Sequence, residues 1–220
     1  MNKFVSLFTL LLFTASAFAE KGIVVTQKYT DANVKANVTV TWYVTESSCK
    51  MKMEFADGKV NSMSWFIPDF GTNQLLTYAE GEVPANAKKS YFAIPIAGIK
   101  AAKSAAASAF KIERTGETKT IGGFNCEKIM ANSGSTITEM WVTKDFKASF
   151  YKASSFFANS YELNALSSGN IAGVPLESTT KDLNGKVINA YSFVSASNTS
   201  LSVTDFIVPA EYKLAATGKN

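Results

Sequence analysis

Histidine is absent from all 220 residues. Its absence removes the Ser-His-Asp and Cys-His hydrolase arrangements, histidine-held metals and the commonest general base. Arginine occurs once, at Arg114, and 22 basic residues stand scattered against 18 acidic ones. A nucleic-acid binder needs clustered Lys and Arg, so that class is set aside. The only two cysteines, Cys49 and Cys126, lie too far apart in sequence to form a zinc ligand set. Gly122-Gly123 stands alone ahead of a strand-like segment, so there is no phosphate-cradling loop. No metal site and no cofactor site is read from the chain.

Long apolar runs are also lacking. The longest, Phe4 to Phe13, falls short of the roughly 20 residues a spanning helix needs. It follows Met1-Asn2-Lys3 and precedes Thr14-Ala15-Ser16-Ala17-Phe18-Ala19, with Ala17 and Ala19 at cleavage spacing. Residues 1–19 therefore read as a cleavable secretory signal peptide, with a membrane anchor as the weaker alternative. The mature chain, 20–220, is expected to be periplasmic or extracellular, with no integral membrane segment after cleavage. An oxidising compartment favours pairing of Cys49 with Cys126 in a disulfide; two buried thiols or an intermolecular link are the alternatives.

What the chain does have is alternation. In Cys49-Lys50-Met51-Lys52-Met53-Glu54-Phe55 the apolar residues share one face and the charges the other, as in a half-buried strand. Strands are expected over 23–30, 34–45, 60–67, 74–78, 90–96, 111–120, 124–132, 136–143, 174–181, 186–195 and 201–208. Asp57-Gly58 and Asn184-Gly185 mark hairpins. The alanine-rich stretch 97–110 suits a helix. A second helix is expected over 146–166, with Phe150, Phe157, Tyr161 and Leu166 at near-helical spacing. The whole reads as mainly β with α, one meandering antiparallel sheet in a single domain.

Candidate chemistry is thin. Ser149-Phe150-Tyr151-Lys152 fits Ser-x-x-Lys, but no partner motif accompanies it. Alternation places Glu127 on a solvated strand face, while Glu139 shares its face with Ile137 and Trp141 and reads as a polar contact, not a catalyst. Sixteen Phe, eight Tyr, three Trp and six Met are more conspicuous. Met51, Met53, Met63, Trp65, Phe66, Tyr91, Phe92, Met140 and Trp141 fall on strands, and Phe150 and Phe157 on the second helix. Soft and aromatic side chains of this kind make adaptable walls for an apolar ligand, or they simply fill the core.

Several segments together resemble the DUF4412 domain family. They are Ile121-Gly122-Gly123-Phe124-Asn125-Cys126-Glu127-Lys128, Thr138-Glu139-Met140-Trp141-Val142-Thr143-Lys144-Asp145, Gly173-Val174-Pro175-Leu176-Glu177, and Phe206-Ile207-Val208-Pro209-Ala210-Glu211-Tyr212-Lys213. That family is similar to the LolA/LolB-like periplasmic carriers. The resemblance implies an incomplete antiparallel barrel with helical insertions packed against one side, and a non-enzymatic role holding a lipid or other apolar small molecule between sheet and helices. The alternative is a structural or protein-interaction module of the cell envelope with a side-chain-filled core. LolA-like carriers use a cavity arginine, and no motif aligns Arg114 with it, so the lipoprotein-carrier role does not transfer.

Overall fold

The strands that alternation marks out do form, and they lie in one sheet. A computed structural model describes residues 19–56, 61–84, 88–95, 110–145, 150, 152–153, 156, 161–171 and 173–215. The N-terminal half supplies β1 (Ala19–Asp31), β2 (Val34–Val44), β3 (Cys49–Ala56), β4 (Asn61–Asp69), β5 (Gln74–Gly81) and β6 (Ser90–Pro95). The second half supplies β7 (Lys111–Ile121), β8 (Phe124–Asn132), β9 (Thr136–Thr143), α1 (Tyr161–Ser168), β10 (Val174–Asp182), β11 (Val187–Ser202) and β12 (Lys213–Leu214). Among the described residues twelve strands form an open, curved sheet in the order β12-β6-β5-β4-β3-β2-β1-β11-β10-β9-β8-β7.

The order describes two up-and-down meanders, β1 to β6 and β7 to β11, joined where β11 pairs with β1. That junction is long, running from Ala19 opposite Ser202 to Asp31 opposite Asn189. Every pairing is antiparallel except β12 with β6. Most hairpins are tight, and the β10–β11 turn shows why. Asp182 Oδ1 accepts from the amides of Asn184 and Lys186, each at 2.9 Å, and Gly185 takes φ +82°, a conformation glycine adopts at no steric cost. At the sheet's free edge, β7 carries Lys111, Glu113, Arg114, Glu117 and Lys119; such charges discourage pairing with another chain.

One face of the sheet is covered by residues from 150–171. Phe150 and Ala153 join Val25, Val40, Trp42, Cys49 and Met51; Phe156 packs on Leu75; Ala165 and Leu166 pack on Ile129, Met140 and Val142. The other face is covered over β4 and β5 by the end of the chain, where Tyr212 and Val208 pack on Ile67 and Tyr78.

Three expectations need correction. Residues 97–109 and Phe157 lie outside the described residues, and so do residues 1–18 of the expected signal peptide. Two helical insertions against one side are therefore not what the described residues present. Among the described residues of 146–166 the helix is α1, eight residues long, Phe150, Lys152 and Ala153 are also helical, and Phe156 stands in a turn, its amide donating to Ala153 O at 2.8 Å; apolar spacing alone does not enforce helix at every position. The closing strand expected over 201–208 ends at Ser202. There a capping box (Ser202 accepting from Thr204 N, Asp205 accepting from Ser202 N) starts a 3-10 turn, Val203–Phe206, because satisfied end groups favour the turn over continued pairing.

The third correction is the disulfide. Cys49 and Cys126 are free and buried. They sit on β3 and β8, six positions apart in the sheet; Cys49 is packed in the core and Cys126 Sγ donates to Phe124 O at 3.6 Å. Burial pushes the Cys126 thiol up to about 11 and Cys49 higher still. The thiolate is the reactive form, so neither should alkylate in the native protein at neutral pH, and unfolded, unreduced protein should titrate with two thiols per chain. A folded-state pKa raised above the unfolded value of about 8.5 stabilises below that pH and loses its contribution as pH climbs toward and past 11. Urea midpoints measured from pH 7 to 10.5 should therefore fall at the alkaline end, and less so in Cys126→Ala.

Candidate functional site

The strand face that alternation marks as polar turns out to be the one with a cleft. In β4, Trp65, Phe66 and Ile67 are consecutive, so both faces carry apolar groups, and a strand apolar on both faces needs cover on both. Phe66 turns toward the Phe150 side with Leu75 and Phe156. Trp65 and Ile67 turn the other way, toward the segment 203–212. Between that segment and the sheet lies a cleft of about 390 Å³, whose apolar wall includes Ile67, Leu76, Tyr91, Phe206, Ile207 and Val208. Ser47, Ser48, Asp69, Phe70 and Gly71 are also on its wall.

The polar rim is already organised. Asp69 Oδ1 accepts from the amides of Gly71 and Thr72, and its Oδ2 accepts from the Thr72 hydroxyl at 2.6 Å. These bonds, the Thr72 hydroxyl foremost, hold its carboxyl below the usual range. Ser47 Oγ donates to Glu20 Oε1 at 2.7 Å.

Next to the cleft runs an aromatic row. Register places Lys52, Trp65, Tyr78 and Tyr91 side by side across β3 to β6. Trp65 stacks on Tyr78 with centroids 6.0 Å apart and meets Tyr43 at a tilt of 32°, with centroids 6.1 Å apart. Tyr212 closes on Tyr78 at 4.6 Å. Glu80 ties the row to the chain's end, accepting from Trp65 Nε1 at 3.1 Å and from the Tyr212 hydroxyl at 3.3 Å.

The expected wall residues divide between the two faces. Met51, Met53, Phe66, Met140 and Phe150 lie on the helix side, where they pack against one another and their neighbours as core. Phe92 stands exposed near the edge of the sheet. Met63 and Trp65 lie on the other face, and only Tyr91 of the expected set lines the cleft. Trp141 lies under Lys119, whose ammonium is 4.3 Å from its ring and 2.6 Å from Glu177. Glu139 faces the same way, 3.5 Å from Lys128, and Glu127 pairs with Arg114 at 2.9 Å, so both carboxylates are in surface ion pairs. Among the described residues no group of three or more acidic or cysteine side chains is placed to hold a metal ion, and no helix is long and apolar enough to cross a membrane.

What sequence reasoning missed is the contribution of 203–208. Val203, Phe206, Ile207 and Val208 read as one more strand, and their role as a cover over β4 and β5 depends on contacts with residues far away in the chain. The consecutive apolar residues of β4 were the available signal that something covers both sides.

Comparison with known proteins places this geometry in a family. The model of a family described as a domain of unknown function (DUF4412) matches residues 21–212. No protein of curated function is similar to the chain in sequence. Among solved structures, an uncharacterized conserved protein from Thermus thermophilus is 11% identical with a TM-score of 0.51, covering 89% of this chain and 90% of that one; this is likeness of fold. The Pseudomonas aeruginosa MucA/MucB complex (9% identity, 88% and 57% covered, TM-score 0.48) is fainter. So is a putative outer membrane lipoprotein-sorting protein domain from Vibrio parahaemolyticus (10% identity, 84% and 88% covered, TM-score 0.35), and neither bears on function here.

Proposed function

The chain belongs to the DUF4412 family, and we propose that it is an exported, non-enzymatic binding protein holding an apolar or lipid-like molecule in the cleft beneath its C-terminal segment. The observation that carries this reading is the cleft itself. At about 390 Å³ with a mainly apolar wall, it falls in the size range of small-molecule sites, roughly 300–1,000 Å³. The site sits on the opposite face from the one the aromatic pattern points to. There, Phe150, Phe156 and Leu166 occupy the space a ligand would need.

Native mass spectrometry of protein purified from a bacterial periplasm should show one apolar molecule per chain, or uptake of a fluorescent fatty-acid probe at that ratio. Ile207 is exposed on the cleft wall, so Ile207→Asp should leave the fold intact while weakening uptake about tenfold, by setting a charge against an apolar ligand. A second reading has its own support. Val203, Ile207 and Leu214 stand exposed on one segment, as on a protein-docking face. Protein that arrives empty, takes up no probe and co-purifies with an envelope protein would overturn the first reading in favour of the second.

A further inference from the structure

Lys50 poses a question that the apolar cleft leaves open. Its ammonium stands 4.8 Å from the ring centroids of both Tyr43 and Trp65 and 6.0 Å from that of Phe206. Rings of this kind attract a cation, but they give its N–H groups no acceptor. Among the described residues no carboxylate lies within 4.0 Å of it. Other lysines differ: Lys52 pairs with Glu54 at 2.9 Å, and Lys89 with Glu211 at 3.2 Å.

The acids that feel Lys50's charge, Asp205 and Glu80, are committed elsewhere. Asp205 caps the 3-10 turn by accepting from Ser202 N at 2.7 Å, and Glu80 accepts from Trp65 and Tyr212. Burial pulls the Lys50 pKa down, Asp205 and Glu80 offset part of the drop and the like charge of Lys52 adds to it, as expected where an ammonium loses water while its nearest acids stand beyond ion-pair distance. A half-buried ammonium left this way is costly unless an anion joins it.

Its position relative to the cleft supplies the anion's identity. Phe206, one of the three rings around Lys50, is a wall residue of the cleft, as is Ser48, just before the start of β3. Ile67 is a wall residue too, and Asp69, two residues further along β4 and roughly 7 Å away, keeps negative charge at the other end. The cleft wall is therefore mainly apolar with Asp69 as its charged residue, Lys50 stands beside it behind the Phe206 ring, and the four-carbon stem of a lysine lets its ammonium swing toward a bound group. We infer that the cleft takes a single-chain anionic amphiphile, a fatty carboxylate, with its tail under residues 203–208 and its carboxylate on Lys50 Nζ. This rests on the cleft being the binding site proposed above.

Laurate and uncharged dodecanol, each titrated below its micelle concentration and followed by tryptophan fluorescence, separate the two claims. The wild-type protein should prefer laurate about tenfold, the worth of one charge-assisted hydrogen bond. Lys50→Met should lose that preference while keeping dodecanol binding, Lys50→Arg should restore it, and Lys52→Met should leave it unchanged. Equal binding of both probes by the wild-type protein overturns the carboxylate site and leaves the binding function standing, and this comparison needs no variant to fold. Uptake of neither probe overturns both, as does a dimer in sedimentation that takes up neither because a second copy fills the cleft.

Discussion

Truncating Phe150 to alanine should lower the unfolding free energy by about 3–5 kcal/mol, the usual cost of removing a buried aromatic ring from a core. The ring is 2% exposed and meets Trp42 edge-on, with centroids 4.9 Å apart and planes at 64°. Around it lie Val40, Met51 and Leu176, all on rigid strands, so the void has little means of collapsing. Urea denaturation would read the effect as a lower midpoint at unchanged slope. The sign of the result matters for function as well. A ring lining a ligand cavity would cost little stability when removed and would cost binding instead. A loss below about 1 kcal/mol with impaired lipid uptake would thus return Phe150 to the wall of a binding site and undo its assignment to the core.

Gln27→Leu should be nearly as damaging, about 2–4 kcal/mol, although leucine is close in size and more apolar. Gln27 is buried on β1, and its Nε2 donates to Pro175 O at 3.0 Å and Leu176 O at 2.8 Å. Those carbonyls need it because β10 meets β11 only from Ser178 onward, while an irregularity between Pro175 and Glu177 breaks the pairing with β9. Removing the donor leaves two buried acceptors unsatisfied, at roughly 1–3 kcal/mol each. Gln27→Glu should be worse at neutral pH, since a carboxylate would face two carbonyl oxygens. Equal stability of Gln27→Leu and wild type in calorimetry would show that water replaces the amide, and the bridging role would fall.

Most of the sheet was legible because its signal is local. Phe124–Asn132 and Thr136–Thr143 form the strands their alternation marks out, and Cys49–Ala56 sends Met51 to the interior as expected. Two things were illegible for one shared reason. Alternation says which residues share a face, not what covers it; Lys50 and Lys52 look solvated in sequence, yet Trp65, Tyr43 and Phe206 gather around them through pairings set elsewhere in the chain. Likewise Gln27 reads as a misplaced polar residue on an apolar face until the gap in pairing between β10 and β11 is known. The candidate site was the least legible part, since its wall joins β4, β5 and β6 to residues 203–208.

The junction of β1 with β11 governs when the fold can be completed. Within each meander neighbouring strands are joined by nearby chain, so those hairpins close over short loops and form early. The seam from Ala19–Ser202 to Asp31–Asn189 must bring together segments from opposite ends of the sequence, and loop-closure entropy makes such pairings late and slow. Until then β1 presents an open row of amides and carbonyls on one side, and the buried Val25 and Ile23 have incomplete cover. A chain emerging N-terminus first carries its most adhesive edge from the start and gains its partner almost last. Its yield on refolding should therefore depend on concentration more steeply than its modest size implies.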